Sequence, residues 1–223
     1  LSGIINANSL TKEKSLMSID DLSPSVESLA SFWENAGLDY IIPNTGSEFP
    51  EGFDLLGVLR QLIPSEMSVV EIGCGYGRLC STFAPDKYQG FDINPKAIAH
   101  GKSRFPNYNL NLIKPWESLP KSDLTLAYCT AFHIPDNELG RFLKLLSSSS
   151  DAVLIAELMD RRWRREGNPP IFNREPEEYV TGMLAENFFL TNILKLPYQR
   201  YDCEPWNINR DIRLTFHLYK RFK

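Results

Sequence analysis

The sequence predicts an α/β protein: a mostly parallel sheet with helices on both faces, finished by one antiparallel strand. Three observations carry that expectation. From residue 68 onward, short strand-like runs alternate with helical stretches, the pattern of strands joined by crossover helices. The first of those runs ends in the closely spaced glycines of "VEIGCGYGR" at 70–78. The last segment, "DIRLTFHLYKRF", alternates apolar and polar side chains, unlike the continuous apolar runs of central parallel strands.

Residues 1–50 read as a helical preface and 51–223 as the sheet-bearing domain. In the preface, "SPSVESLASFWENAG" offers Ser23 as an N-cap, Pro24 at the first helical position and Gly37 just past the end. The turn-rich "YIIPNTGSEFPEG" follows, then "FDLLGVLRQLI", a helix with Phe53, Leu56, Leu59 and Ile63 near one face. Strands are expected at 68–72, 88–92, 109–113, 123–129 and 152–158, with helices at about 78–83, 95–104 and 137–147. Asn94 before Pro95, and Asp136 before Asn137, are helix-start signals. Two late strands, "FFLTNILKLP" and "DIRLTFHLYKRF", close the chain. In the second, Ile212, Leu214, Phe216 and Leu218 are expected to face inward, and Arg213, Thr215, His217 and Tyr219 outward.

The 223 residues, 43% hydrophobic, suffice for one good core. The net charge of −4 argues against a general nucleic-acid footprint. No apolar run has the length of a membrane span, and "LSGIINANSLTKEKSL" lacks the layout of a signal peptide. Cys74, Cys80, Cys129 and Cys203 form no CxxC pair and no metal-ligand rhythm. Reduced, buried thiols in the cytoplasm and no metal are the expectation. The chain begins at Leu1, which keeps open that it is a domain of a larger protein.

Glycines between a strand and the next element permit positive φ and close approach of a ligand to the backbone. The dinucleotide fingerprint G-x-G-x-x-G is not met, because Arg78 stands where its third glycine falls. The spacing is instead Gly73, Gly75, Gly77, with Glu71 two positions before the first. Asp92 ends the second strand, 21 residues beyond Glu71, placed either to accept both hydroxyls of a ribose or to cap the helix at Pro95.

"VVEIGCGYGR" followed by "YQGFDINPKAI" resembles the first two motifs of the class I S-adenosylmethionine-dependent methyltransferases, over about residues 52–223. The resemblance implies a Rossmann-like sheet with a reversed last strand and S-adenosylmethionine as cofactor. It also implies that Glu71, Gly73, Cys74, Gly75 and Gly77 surround the methionine portion, and that Asp92, with Ile93 beside it, binds the ribose. "IKPWESLP" stands where the adenine is usually held, which points to Trp116 and Glu117, although Pro115-Trp116-Glu117 departs from the usual Asp and small residue. Core packing is the other reading of Trp116.

Methyl transfer to an alcohol needs a base to take the proton; a neutral amine needs only positioning. His133, just past the fourth strand in "CTAFHIPD", is the candidate base, with Asp136 as its orienting partner; packing and helix capping are the competing roles. After the fifth strand, Glu157 and Asp160 face the same crevice, and Arg161, Arg162, Arg164 and Arg165 flank Trp163. Asp160, Arg161, Trp163 and Arg164 suit an anionic, ring-bearing acceptor. The same cluster also reads as solvated charge neutralised by Glu166, Glu175, Glu177 and Glu178. Phe32, Trp33, Tyr40 and Phe49 give the preface the aromatic surface of a lid, with Tyr40 the substrate-facing candidate and plain helix packing the alternative.

The leading expectation is methylation of a small molecule or saccharide, with a sugar hydroxyl as the acceptor. Against nucleic-acid amino groups, "CTAFHIPD" lacks the (D/N/S)-PP-(Y/F/W) motif. A macromolecular acceptor is one alternative, and a non-catalytic cofactor-binding module is another.

Overall fold

The computed structural model describes residues 26–42, 48–167, 169–199 and 212–222. Ser23, Pro24 and Cys203 lie outside the described residues. The preface contributes helices α1 (Val26–Asn35) and α2 (Leu38–Ile41), and α3 (Leu55–Leu62) leads into the sheet. Then come β1 (Val69–Ile72), β2 (Tyr88–Asp92), α4 (Pro95–Arg104), β3 (Asn109–Leu112), β4 (Leu124–Tyr128), α5 (Leu139–Ser149) and β5 (Ala152–Glu157). Helix α6 (Pro176–Ala185) precedes β6 (Phe188–Pro197) and β7 (Arg213–Arg221). The seven strands lie in the order β3-β2-β1-β4-β5-β7-β6, with β7 antiparallel to both neighbours and the β1–β5 pairs all parallel.

Strand alternation divides the core in two. Val69, Leu124, Leu126 and Leu154 pack with Leu59 of α3 and Ile98 of α4 on one face. Val70, Ala127, Val153 and Ile155 pack with Leu143 of α5 and Met183 of α6 on the other. In-register pairing aligns Ile72 with Phe91 and Ala127, so β1, β2 and β4 end level with one another. That edge is where ligands bind in such sheets.

Two expectations are corrected, and one helix lies outside them. The helix at 78–83 is absent; the chain makes turns and a single 3-10 turn at Cys80–Thr82. Gly77 at φ +80° and Pro85 leave too few residues between them to repay helix nucleation. Helix α6 was not anticipated, although Glu175, Pro176 and Glu178 form a capping box with proline at the first turn. On β7, Thr215, His217 and Tyr219 are buried rather than outward, because β7 runs between β5 and β6 with both faces covered. His217 Nδ1 lies 2.8 Å from the Tyr219 hydroxyl, and burial lowers its pKa to about 4. Among the described residues, no helix is long and apolar enough to cross a membrane.

Candidate active site

A cavity of about 400 Å³ opens at the C-terminal ends of β1, β2 and β4. Glu71, Gly73, Cys74 and Gly75 line one part of it, Asp92 and Ile93 another, and Trp116 and Glu117 a third. His133 lines it from the turn after β4, and Tyr40 from the preface. Gly77, Asp136, Asp160, Arg161, Trp163 and Arg164 stand outside the cavity wall.

The glycine loop is held on three sides. Gly73 and Cys74 donate their N–H groups to the Phe91 carbonyl at 2.8 and 3.1 Å. Gly75 donates to Asp92 Oδ2 at 2.8 Å, while Asn94 donates to Asp92 Oδ1 at the same distance. Gly73 has φ +71°, and a Cβ there would lie 2.2 Å from Thr130 Oγ1 and 2.6 Å from its Cγ2. Gly73→Ala should therefore cost about 2–4 kcal/mol, strain and overpacking together. Gly52→Ala, at φ +78° with nothing within 4 Å, isolates the strain and should cost only about 1–2 kcal/mol. Denaturant titration of the two variants measures the difference; equal losses would show that the Thr130 contact does not matter.

Glu71 is buried and accepts from the Tyr88 hydroxyl at 2.5 Å. Burial raises its pKa to about 7, against the opposing pull of Tyr88 and Arg78. Asp92 is also raised by burial, with its backbone donors acting the other way. Below the site, Glu157 is buried and raised to about 8. Both glutamates hold their protons more tightly folded than unfolded, where the usual value is near 4.5. Their stabilising contribution is complete below that value and is lost as pH rises through 7 and 8. His217, lowered to about 4, instead loses stability as pH falls below histidine's ordinary range. Between pH 6.5 and 8 the carboxyls dominate, and stability should fall by about 1–3 kcal/mol. Denaturation at both pH values checks this, and a flat profile would refute it.

Several wall residues have roles that the sequence pattern does not carry. Arg78 meets Glu48 at 2.8 Å and lies 4.6 Å from the Tyr128 ring centroid, tying the end of the glycine loop to the last residues of the preface. Asn94 caps α4 through Ala97 N–H at 2.9 Å. Its amide also donates to the Trp33 and Ala36 carbonyls at 2.7 and 3.1 Å, which docks α1 over the cavity. The helix-start signal at Asn94 was legible; its second role depends on residues about 60 positions away. Trp116 has φ +64° and lies under the Arg141 guanidinium, 4.5 Å from its ring centroid. A non-glycine residue in that region marks a locally strained wall of the site.

The His133 ring packs between Trp33, at 4.3 Å, and Phe132, at 4.2 Å. Asp136 faces Arg164 at 2.7 Å and Arg174 at 2.9 Å, so its carboxylate serves the arginines rather than orienting His133. The expected acceptor cluster is likewise spoken for. Arg161 grips Glu178 through two bonds of 2.9 and 2.6 Å, Arg162 pairs with Asp160, and Trp163 is buried in the core. Arg165 is the member of that run that lines the cavity.

No protein-family model and no curated protein matches the sequence. Solved structures do. The magnesium protoporphyrin IX methyltransferase of Synechocystis PCC 6803, with bound S-adenosylmethionine, superposes with a TM-score of 0.65 at 12% identity, over 88% of this chain and 96% of that one. An S-adenosylmethionine-dependent methyltransferase from Methanosarcina mazei gives 0.59 at 15% identity, over 76% of this chain and 99% of that one. The chain has the class I methyltransferase fold. The same fold is shared by the [4+2]-cyclase SpnF, at a TM-score of 0.60 and 10% identity over 75% and 79%. The fold alone therefore leaves the reaction to be argued from the site.

Proposed function

We propose that this chain is an S-adenosylmethionine-dependent methyltransferase acting on a small-molecule acceptor. The observation that carries the reading is a single cavity in which Gly73–Gly75, the strand-end Asp92 and His133 meet. Glu71 and the glycine loop would hold the methionine portion, Asp92 with Ile93 the ribose, and Trp116 with Glu117 the adenine. Helix α1 of the preface acts as a lid: Trp33 covers His133, and Asn94 and Lys96 fasten the carbonyls at the end of α1. Such a cover excludes water, which in-line displacement at a sulfonium requires. Tyr40 and Arg165, which both line the cavity, would meet the acceptor. A sugar hydroxyl methylated at oxygen remains the favoured acceptor, with His133 as its base. Arg165, rather than Arg161 or Arg164, is the cation placed to recognise an anionic substituent on it. The buried thiols of Cys74 and Cys80 suit a reducing cytoplasm.

The test is incubation of the protein with methyl-labelled S-adenosylmethionine and a lysate of its source organism, followed by size, nuclease and protease fractionation. Label in small or saccharide fractions supports the reading. Label in nuclease- or protease-sensitive material makes the acceptor macromolecular, and binding of the cofactor with no label anywhere leaves a non-catalytic module.

A further inference from the structure

The arginine that matters most is not among the four that the sequence draws attention to. Arg161 and Arg162 are half-exposed and paired with acids. Arg174, by contrast, is fully buried and is the largest such side chain among the described residues. Its Nη1 donates to the Ala131 carbonyl at 2.9 Å, and its Nη2 donates to the Ile134 carbonyl while meeting Asp136 Oδ1 at 2.9 Å. Alongside it, Phe172 N–H donates to the Phe132 carbonyl at 2.7 Å. From the end of β5, Glu157 Oε1 accepts from Thr130 N–H at 2.8 Å and Ala131 N–H at 2.5 Å. The turn 130–136 thus has its amides held by a buried acid and its carbonyls by a buried base. That turn carries Phe132, His133 and Ile134 into the cavity wall.

A buried guanidinium is costly unless its charge is compensated. Here Nη1 and Nη2 are engaged by two carbonyls and a carboxylate, a spacing that suits the fork, while Nε is buried without a hydrogen-bond partner. Ion pairing alone would be met more cheaply at the surface.

We infer that Arg174 is a positioning residue: it sets the turn after β4 so that His133 lies against Trp33 at the cavity. The inference rests on reading that cavity as the active site.

The test labels the histidine rings isotopically. The chain has three histidines, and the His133 signal is assigned by its loss in His133→Gln. In the cofactor-free protein, Arg174→Met should abolish the ring-current shift that Trp33 and Phe132 impose on His133. His217, inside the sheet, should keep its signal, which separates a local change from unfolding. Arg174→Lys retains the charge but loses the fork, so His133 should remain displaced. If the Met variant does not fold, the Lys variant decides on the same signal. With an acceptor in hand, turnover should fall about 10²-fold, with the cofactor Kd within about threefold of wild type. A wild-type His133 signal in a folded Arg174 variant overturns the inference. Failure of the wild-type protein to bind S-adenosylhomocysteine would instead refute the cofactor reading, and the ring signal is read independently of it.

Discussion

Asp92→Ala should weaken S-adenosylhomocysteine binding by about 100-fold or more, read by calorimetry at fixed pH. Both carboxylate oxygens already accept a backbone N–H, from Gly75 and from Asn94. Each retains acceptor capacity, and the side chain lines the cavity at the end of β2. Two ribose hydroxyls donating there would form charge-assisted bonds worth roughly 1.5–3 kcal/mol each. Even the lower sum is about two decades of affinity. The same substitution also frees the Gly75 N–H, so the glycine loop loses the tie that fixes it against α4. Asp92→Asn is the graded variant. Its single carbonyl oxygen can keep the Gly75 or the Asn94 N–H but not both, so one backbone tie and one ribose acceptor are lost together. The loss should be smaller, near tenfold, as expected for one charge-assisted contact. An unchanged affinity in the alanine variant would remove the ribose assignment.

Legibility followed the range of the interactions. Strand β2 at 88–92 and helix α4 at 95–104 have their expected limits, because the aromatic Tyr88 and Phe91 and the helix-start pair Asn94 and Pro95 are local signals. The glycine loop and Asp92 were legible for the same reason, since they lie at the ends of two successive strands, β1 and β2. Longer-range roles were not. Asp136 was assigned to its neighbour His133, but its partners are 28 and 38 residues away, at Arg164 and Arg174. Arg174 itself sits in "FNREPEEY", where nothing marks it as interior until the turn 130–136 folds over it. The outward face assigned to β7 failed for a topological reason: alternation reports polarity, and Thr215, His217 and Tyr219 carry polar groups while lying buried. His217 and Tyr219 satisfy each other there, which the sequence pattern does not distinguish from exposure to water.

His133→Ala should lower turnover by about 10²–10⁴-fold, the usual worth of a general base, with little change in S-adenosylhomocysteine affinity. Two roles compete for this ring. It packs between Trp33 and Phe132, so a purely structural histidine is a coherent alternative. Packing and proton transfer respond differently to the replacement. His133→Phe restores an aromatic body beside Trp33 but has no nitrogen to accept a proton; a packing role predicts recovery of turnover, a base role predicts none. The alanine variant leaves space at the cavity wall, so added imidazole should rescue turnover if the missing function is proton transfer. Turnover equal to wild type at every pH in His133→Phe would eliminate the base. Because an amine acceptor arriving neutral needs only positioning, that outcome would also turn the search from hydroxyl acceptors toward amines, with Trp33 and Arg174 still required to shape the wall.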